Sequence, residues 1–221
     1  MVTIAFADDN IKHRQQIRET IEKHEDFRIV LEVANGYQLL QELMTIKTVP
    51  DIIVLDINMP KIDGLTALTY LINKFPKIRI ICLSVFGSKG LISEVLTEGG
   101  MGYLTKNVLQ RSLPKAVETV LHDKVYIDRF ISNEQGNFKK GTTTKEIAEN
   151  NFGNLTKREL EFLQLNSTEL SYEEIAQLMY VSSSTVSSYY DSVAKKLSIS
   201  SRSNLSLFAI KNGLVKVARL Y

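Results

Sequence analysis

The sequence predicts two domains of different class: a doubly wound α/β domain around a five-stranded parallel sheet, followed by a small all-α domain of four helices. In the first 125 residues, short apolar runs of strand type alternate five times with segments of helical spacing. Such an alternation is typical of a parallel sheet with helices on both faces. From Leu155 onward the spacing is helical throughout. A length of 221 residues also suits two small domains better than one.

The elements of the first domain follow from apolar spacing and from turn residues. The predicted strands are Thr3–Ala7, Phe27–Ala34, Ile52–Leu55, Ile78–Leu83 and Gly102–Thr105, and the predicted helices are Lys12–His24, Tyr37–Lys47, Leu65–Phe75, Leu91–Glu98 and Val108–His122. The third strand is apolar at every position, which favours a central strand buried on both faces. Met59-Pro60 and Asp63-Gly64 then turn the chain, because Pro fixes φ and Gly permits positive φ.

Polar side chains follow these strands at their carboxyl ends. Parallel strands end at one edge of a sheet, so five polar residues are expected to meet there: Asp8, Asp9, Asp56, Ser84 and Lys106. Three crowded carboxylates repel one another unless a cation holds them, and an all-oxygen set suits a hard ion such as Mg²⁺. A Lys and a hydroxyl opposite them suit an anion, such as a phosphoryl group carried by one carboxylate. Taken singly, each residue has a structural alternative as a helix cap, a strand-end hydroxyl or a solvated charge.

Residues 1–125 resemble the receiver domain of response regulators over its full length. The resemblance is carried by the Asp8-Asp9 pair, LDINMP with the DG turn after the third strand, Ser84, and GYLTK at the fifth strand. It implies a flavodoxin-like fold in which Asp56 is the phosphoacceptor. It also implies a Mg²⁺ site formed by Asp9, Asp56 and the backbone carbonyl of Asn58, with Asp8 assisting.

The same resemblance assigns roles to three further residues. Lys106 would pair with the phosphoryl oxygens. Ser84 and Tyr103 would form a switch in which the hydroxyl moves to the phosphoryl group and the aromatic ring turns inward; the alternative for Tyr103 is an ordinary half-buried strand aromatic. Phe86 is apolar at a position that in receivers influences attack of water on the phosphoryl group, and we expect it to slow dephosphorylation. Asn107 stands where many receivers have Pro.

The middle of the chain and the overall composition add three expectations. Residues 128–153 are rich in Asn, Gly, Thr and Lys and are predicted to be a linker, in which Thr144–Asn150 could form one or two helical turns. No apolar run reaches the roughly 18 residues that span a bilayer, no signal peptide is evident, and the single Cys82 suits a reducing compartment, so a cytoplasmic protein without a membrane partner is expected. Residues 154–221 hold 8 basic and 6 acidic groups and therefore the whole net charge of +2.

Four helices are predicted in the C-terminal domain, residues 154–221. Thr156-x-x-Glu159 and Ser171-x-x-Glu174 are capping boxes for the first two, the second being Tyr172–Met179. Ser182 or Ser183 would cap a third helix to about Leu197, and Ser203 a fourth, Asn204–Asn212, with Gly213 after it. Two helices joined by a tight turn form a helix-turn-helix, whose second helix can enter a major groove.

This segment resembles the LuxR-type helix-turn-helix of the NarL/FixJ response regulators. The match covers LTKRELEFL, LSYEEIAQLMYVSSSTV, AKKLSISSRSNL and NGLV. The presumed DNA face departs from the family, since Ser187 and Tyr189 replace the usual Lys and His, and Asp191 has the wrong sign for phosphates. The predicted DNA contacts are Ser183, Ser184, Thr185, Ser187, Ser188, Tyr189, Lys195 and Lys196. The structural alternative is that both lysines are solvated helix charges and that Arg202 packs between helices.

The resemblances imply a two-component response regulator and not an enzyme. A sensor histidine kinase would phosphorylate Asp56, and the chain would then form a homodimer and bind promoter DNA to regulate transcription. The alternative is a phosphorylation-switched dimerisation or interaction module whose helix-turn-helix has lost DNA binding. A Mg²⁺-dependent hydrolase at the same sheet edge is disfavoured, because the sequence offers no second acid–base group and no substrate-sized insertion.

Overall fold

The computed structural model describes residues 1–128, 152 and 154–216, which fall into two compact units. The first unit contains the described residues up to 128, and the second contains residue 152 and those from 154 onward. Most of the predicted linker, including the possible helical turns of Thr144–Asn150, lies outside the described residues. The boundaries of the domains therefore stay predictions.

The first unit is built on one parallel sheet. Its strands are β1 (Val2–Ala7), β2 (Phe27–Val33), β3 (Ile52–Asp56), β4 (Arg79–Ser84), β5 (Gly102–Thr105) and β6 (Tyr126–Ile127), in the spatial order β2-β1-β3-β4-β5-β6. The predicted doubly wound class is confirmed. Every residue of β3 is buried, as the continuous apolar run indicates for a central strand.

Helices connect the strands. They are α1 (Ile11–Glu22), α2 (Gly36–Thr45), α3 (Gly64–Lys74), α4 (Lys89–Thr97) and α5 (Leu109–Leu121), with a single 3₁₀ turn, Lys106–Val108, before α5. Side chains at the N-caps of the first four helices accept backbone N–H groups of the first turn: Asn10, Asn35, Asp63 and Ser88. The start of α3 requires glycine, since a Cβ at Gly64 would lie 2.2 Å from the backbone oxygen of Asp56.

The sixth strand corrects the predicted count of five. Gly102 pairs with Tyr126 and Tyr103 with Ile127 in parallel register. Two residues are too few to show a period of two, so this strand is defined by its hydrogen bonds to β5 rather than by a local pattern. Just beyond it, the Ser112 hydroxyl donates to Asp128 Oδ2 at 2.6 Å, and Asp128 is buried.

The described residues of the second unit contain four helices, as predicted: α6 (Lys157–Asn166), α7 (Tyr172–Met179), α8 (Ser183–Leu197) and α9 (Arg202–Lys211). Both capping boxes are present. One expectation was wrong: Ser201 caps α9, and Ser203 lies in its first turn. The apolar spacing of α9 starts only at Leu205, so it does not show which of the two preceding serines caps the helix. The core is formed by side chains that include Phe162, Leu163, Ile175, Met179, Val186, Val193, Leu205 and Ala209.

No helix among the described residues combines the length and the apolar character needed to cross a membrane.

Candidate functional sites

The carboxyl edge of the sheet gathers three carboxylates. Asp8 and Asp9 follow β1, and Asp56 ends β3, so neighbouring strands bring them together. Oxygens of the three lie within 4.8 Å of one another. Asp8 and Asp56 are buried and Asp9 is exposed, which leaves one side of the cluster open to solvent.

Lys106 lies against the two buried carboxylates. Its Nζ is 2.7 Å from Asp8 Oδ2 and 2.8 Å from Asp56 Oδ2. The distances fit ion pairs, but the angles are poor, because neither oxygen has a hydrogen-bond partner among the described residues. Burial raises the pKa of Asp56 to about 6, even though the Lys106 ammonium acts in the opposite direction.

The donor set of this cluster fits a hard divalent cation. All its ligand atoms are oxygens, and two of them are buried without a well-aligned hydrogen bond, which is the situation a bound cation relieves. The Asn58 backbone N–H donates to Asp56 Oδ1 at 3.3 Å and holds the loop after β3 close to the carboxylate. This contact places the Asn58 peptide at the cluster but does not identify its carbonyl as a ligand.

The loop after β1 is held by its own hydrogen bonds. The Asn10 N–H donates to Asp8 Oδ1 at 2.9 Å. Arg14 Nη1 donates to the backbone oxygens of Asp8 and Asp9 at 2.9 and 3.2 Å, while its Nε pairs with Glu32. The first turn of α1 is therefore fixed relative to the carboxylates.

His13 belongs to this site and was missed by sequence reasoning. Its Nδ1 lies 3.0 Å from Lys106 Nζ and 3.5 Å from Asp8 Oδ1. The inference from strand ends considered only residues directly after strands, and His13 lies in the first turn of α1. A polar residue one helical turn past Asp9, at the start of a helix that packs on the sheet, was the signal that could have found it.

Ser84 and Tyr103 both contact the backbone of Phe86. Ser84 Oγ accepts the Phe86 N–H at 3.2 Å, and the Tyr103 hydroxyl donates to the Phe86 carbonyl at 2.5 Å. Tyr103 is fully buried rather than half-buried, and its role in the switch stays a prediction. Burial raises the pKa of Tyr103 to about 12, against a smaller lowering by the Ser84 hydroxyl. The Phe86 side chain itself is 58% exposed.

The second candidate site is the surface of α8. Ser182 caps this helix, and six of the predicted DNA contacts are exposed on it: Ser183, Ser184, Ser187, Ser188, Lys195 and Lys196. Thr185 is half-buried, and its hydroxyl lies 2.9 Å from Ser182 Oγ. The hydroxyls of Ser187 and Ser188 donate to backbone oxygens one turn earlier, so each keeps lone pairs for a further partner.

Lys196 and Tyr189 also have intramolecular partners, and their contacts with DNA stay predictions. Lys196 Nζ lies 2.7 and 2.8 Å from the carboxylate oxygens of Glu159, which is buried and requires a cation. Burial alone would raise the pKa of Glu159, but hydrogen bonds from Lys196, Ser192 and Thr156 outweigh it and lower the pKa to about 2. The Tyr189 ring stacks on Phe162, with centroids 6.3 Å apart.

Arg202 has the structural role that the sequence left open. Its guanidinium donates to backbone oxygens at the end of α6 and in the loop after it, those of Asn166, Thr168 and Leu170. It also lies over the Tyr172 ring, 5.4 Å from the centroid. These contacts connect α9 to the loop before α7.

Comparison with known proteins identifies the class of both units. Residues 4–118 match the family model of the response regulator receiver domain, and residues 153–209 match that of bacterial regulatory proteins of the luxR family. The chain is therefore a response regulator with a receiver domain and a LuxR-type DNA-binding domain. Proteins of this class are transcription regulators rather than enzymes.

Relatives over the whole length make the family explicit. Transcriptional regulatory protein DegU of Brevibacillus brevis is 28% identical, over 98% of this chain and 96% of that protein. Oxygen regulatory protein NreC of Staphylococcus epidermidis is 30% identical, over 96% of this chain and 99% of that protein. The chain belongs to the NarL/FixJ family of response regulators.

A solved structure supports the fold independently. The RcsB response regulator of Salmonella typhimurium, described in work on its conformational dynamism for DNA interaction, has a TM-score of 0.57 at 24% identity. The alignment covers 94% of this chain and 98% of that one.

Proposed function

We propose that Asp56 accepts a phosphoryl group from a sensor histidine kinase and that this modification controls promoter binding by α8. The observation that carries the proposal is the Lys106 ammonium, 2.8 Å from Asp56 Oδ2 at the carboxylate cluster. A cation beside a nucleophilic carboxylate is the arrangement that phosphoryl transfer requires, because negative charge accumulates on the phosphoryl oxygens.

The transfer proceeds by attack of Asp56 on the phosphorus of a phosphohistidine. An O–P bond forms as the N–P bond breaks, and the released imidazole takes a proton from solvent. Asp56 must be ionised to attack, and with a pKa of about 6 it is mostly ionised near neutral pH. Lys106 remains beside the reacting oxygen and neutralises part of the transferred charge.

Asp9, Asp56 and the backbone carbonyl of Asn58 are the residues that would hold Mg²⁺, with Asp8 assisting. The bound ion would supply further positive charge to the phosphoryl oxygens. The all-oxygen cluster, with its buried and poorly hydrogen-bonded oxygens, supports this assignment.

Ser84 and Tyr103 are proposed to relay the modification. Both are tied to the backbone of Phe86, so a Ser84 hydroxyl that turns to the phosphoryl group releases the Phe86 N–H. The β4–α4 loop then loses one of the contacts that hold it in the unmodified state.

The proposed domains are a receiver at 1–127, a linker at 128–153 and a DNA-binding domain at 154–221. Phosphorylation favours a homodimer, and two copies of α8 then read two half-sites of promoter DNA. Exposed hydroxyls of α8 and the exposed Lys195 support contact with phosphates and bases. Promoter DNA as a partner implies a cytoplasmic protein.

A second candidate function is a phosphorylation-switched interaction module that no longer binds DNA. It is favoured by Asp191, which is exposed on α8, while the charge of Lys196 is balanced by Glu159. Asp191 and Lys195 then cancel on the surface of this helix, which gives little attraction for a polyanion.

Phosphorylation of the full chain by acetyl phosphate in Mg²⁺, followed by intact mass, tests the acceptor site. We expect wild type and the control variant Asp26→Asn, which changes an exposed carboxylate away from the cluster, to gain one phosphoryl group. Asp56→Asn should gain none. A phosphoryl group on Asp56→Asn would place the acceptor elsewhere.

A further inference from the structure

His13 makes the best-aligned hydrogen bond of the Lys106 ammonium. An ammonium has three N–H donors, and Lys106 Nζ has three close neighbours: Asp8 Oδ2 at 2.7 Å, Asp56 Oδ2 at 2.8 Å and His13 Nδ1 at 3.0 Å. The two carboxylate contacts have poor angles, whereas the contact with His13 has hydrogen-bond geometry. The imidazole therefore helps to set the direction of the ammonium, together with the two ion pairs.

This contact also fixes the chemical form of the ring. An ammonium can only donate, so in a hydrogen bond with Lys106 the Nδ1 lone pair accepts, and the ring proton that this bond requires lies on Nε2. The side chain of His13 is 31% exposed and that of Lys106 only 10%, so the hydrogen bond is largely shielded from water.

The backbone of His13 is firmly held. Asn10 Oδ1 accepts the N–H groups of Lys12 and His13, and Arg14 connects the same helical turn to the backbone oxygens of Asp8 and Asp9. The imidazole thus offers a fixed acceptor to the end of the flexible Lys106 side chain. Without this acceptor, the side chain would have to be ordered at each phosphoryl transfer, at a cost in conformational entropy.

We propose that His13 is a positioning residue that holds the Lys106 ammonium in place for phosphoryl capture by Asp56. The inference rests on the proposed acceptor role of Asp56. When a phosphoryl group is added, Lys106 turns one donor to the new oxygens and keeps its ion pair with Asp8 and its hydrogen bond with His13. His13 acts through Lys106 and contacts no reacting atom.

Three variants of the full chain separate positioning from packing. His13→Leu removes the acceptor while keeping an apolar body and a good helix former. His13→Asn places an amide oxygen close to the position of Nδ1, although Asn is the poorer helix former. His24→Leu makes the same chemical change at an exposed residue beyond the end of α1 and serves as the control.

The rate of phosphorylation by acetyl phosphate in saturating Mg²⁺ is the first measurement. We expect His13→Leu to react about tenfold more slowly than wild type, the loss typical of one hydrogen bond to a charged group. His13→Asn should recover most of the rate, and His24→Leu should match wild type. A purely structural role predicts the opposite order, with Leu at least as active as Asn.

The nitrogen chemical shifts of the His13 ring, measured without Mg²⁺ or phosphoryl donor, are the second measurement. We expect shifts that show Nδ1 as a lone-pair acceptor and the proton on Nε2 in wild type, and a loss of that preference in Lys106→Met. Equal rates for wild type and His13→Leu, equally slow Leu and Asn variants, or a proton on Nδ1 would each overturn the positioning role alone. A wild-type chain that takes up no phosphoryl group would overturn the acceptor site and the inference together.

Discussion

Lys106 Nζ lies 2.8 Å from Asp56 Oδ2, yet this close cation does not keep the pKa of Asp56 at its ordinary value. Burial of the carboxylate, which is only 1% exposed, outweighs the attraction and raises the pKa to about 6. An ionised Asp56 at neutral pH therefore lowers the stability of the folded state when no metal ion is bound. The charged carboxylate is also the form that can bind a metal ion or accept a phosphoryl group.

Asp56→Asn should raise the free energy of unfolding near neutral pH in Mg²⁺-free buffer. The pKa of Asp56 in the folded state is about 6, against an ordinary value of 3.8, and this difference corresponds to at most about 3 kcal/mol. Between these two pKa values the folded state binds more protons than the unfolded state, so this carboxyl favours folding at low pH and loses that contribution as pH rises through about 6.

Urea unfolding of wild type and Asp56→Asn at about pH 4 and about pH 7.5 tests this difference. The advantage of the variant should be large at the higher pH and small at the lower, and Asp26→Asn should show no such change. A variant that is less stable than wild type at the higher pH would contradict the burial argument.

Mg²⁺ should raise the melting temperature of wild type through the carboxylate cluster. A ligand that binds only the folded state stabilises it by about 1.4 kcal/mol at roughly ten times its Kd. Asp9→Asn removes one carboxylate of the cluster and should shift the midpoint to higher Mg²⁺, whereas Asp26→Asn should follow wild type. Identical Mg²⁺ titrations for wild type and Asp9→Asn would place the ion elsewhere.

Substitutions of the adjacent residues Lys195 and Lys196 should have different effects, one on DNA binding and the other on fold stability. Lys196→Met leaves the buried Glu159 carboxylate without its cation and should lower the stability of the second unit by about 1 kcal/mol, since the pair is partly exposed. Lys195→Met should leave stability unchanged and reduce the salt slope of DNA binding by about one. Thermal melts and binding isotherms at several salt concentrations measure both. The reverse pattern would contradict the assignment of Lys195 to DNA contact and of Lys196 to the ion pair with Glu159.

Phe86→Glu should shorten the lifetime of phosphorylated Asp56. The exposed phenyl ring offers no hydrogen bond to a water molecule, whereas a carboxylate two residues past Ser84 can orient one for attack. Val85→Glu adds the same charge at the neighbouring exposed residue and serves as the control. Loss of the phosphoryl group after removal of the donor can be followed on phosphate-affinity gels. A Phe86→Glu variant that keeps its phosphoryl group as long as wild type would count against this role.

The sheet and most of the helices could be predicted because their patterns are local. The apolar run of β3 and the two capping boxes define strands and helix starts within a few residues, and the structure agrees. The strand β6 could not be predicted, since its two residues are ordered by pairing with β5. The N-cap of α9 was predicted at Ser203 but is Ser201, because no local pattern distinguishes the two serines.

The residues of the candidate site could be predicted only where the order of strands in the sheet brings them together. Strand ends bring Asp8, Asp56 and Lys106 together without any knowledge of side-chain direction. The contact of His13 with Lys106 depends on how the first turn of α1 faces the sheet edge. The pairing of Lys196 with Glu159 depends on how α6 and α8 pack, and neither relationship is encoded in spacing along the chain.

The central claim is that the phosphoryl state of Asp56 controls DNA binding, and binding to the upstream region of the protein's own gene tests it most directly. The full chain is titrated at two salt concentrations, with and without Mg²⁺ and beryllofluoride, which stands in for the phosphoryl group. We expect salt-sensitive binding that tightens with beryllofluoride in wild type and is unaffected in Asp56→Asn. Binding that ignores beryllofluoride would contradict the switch, and no binding to this region or to a random genomic pool in either state would favour the interaction module.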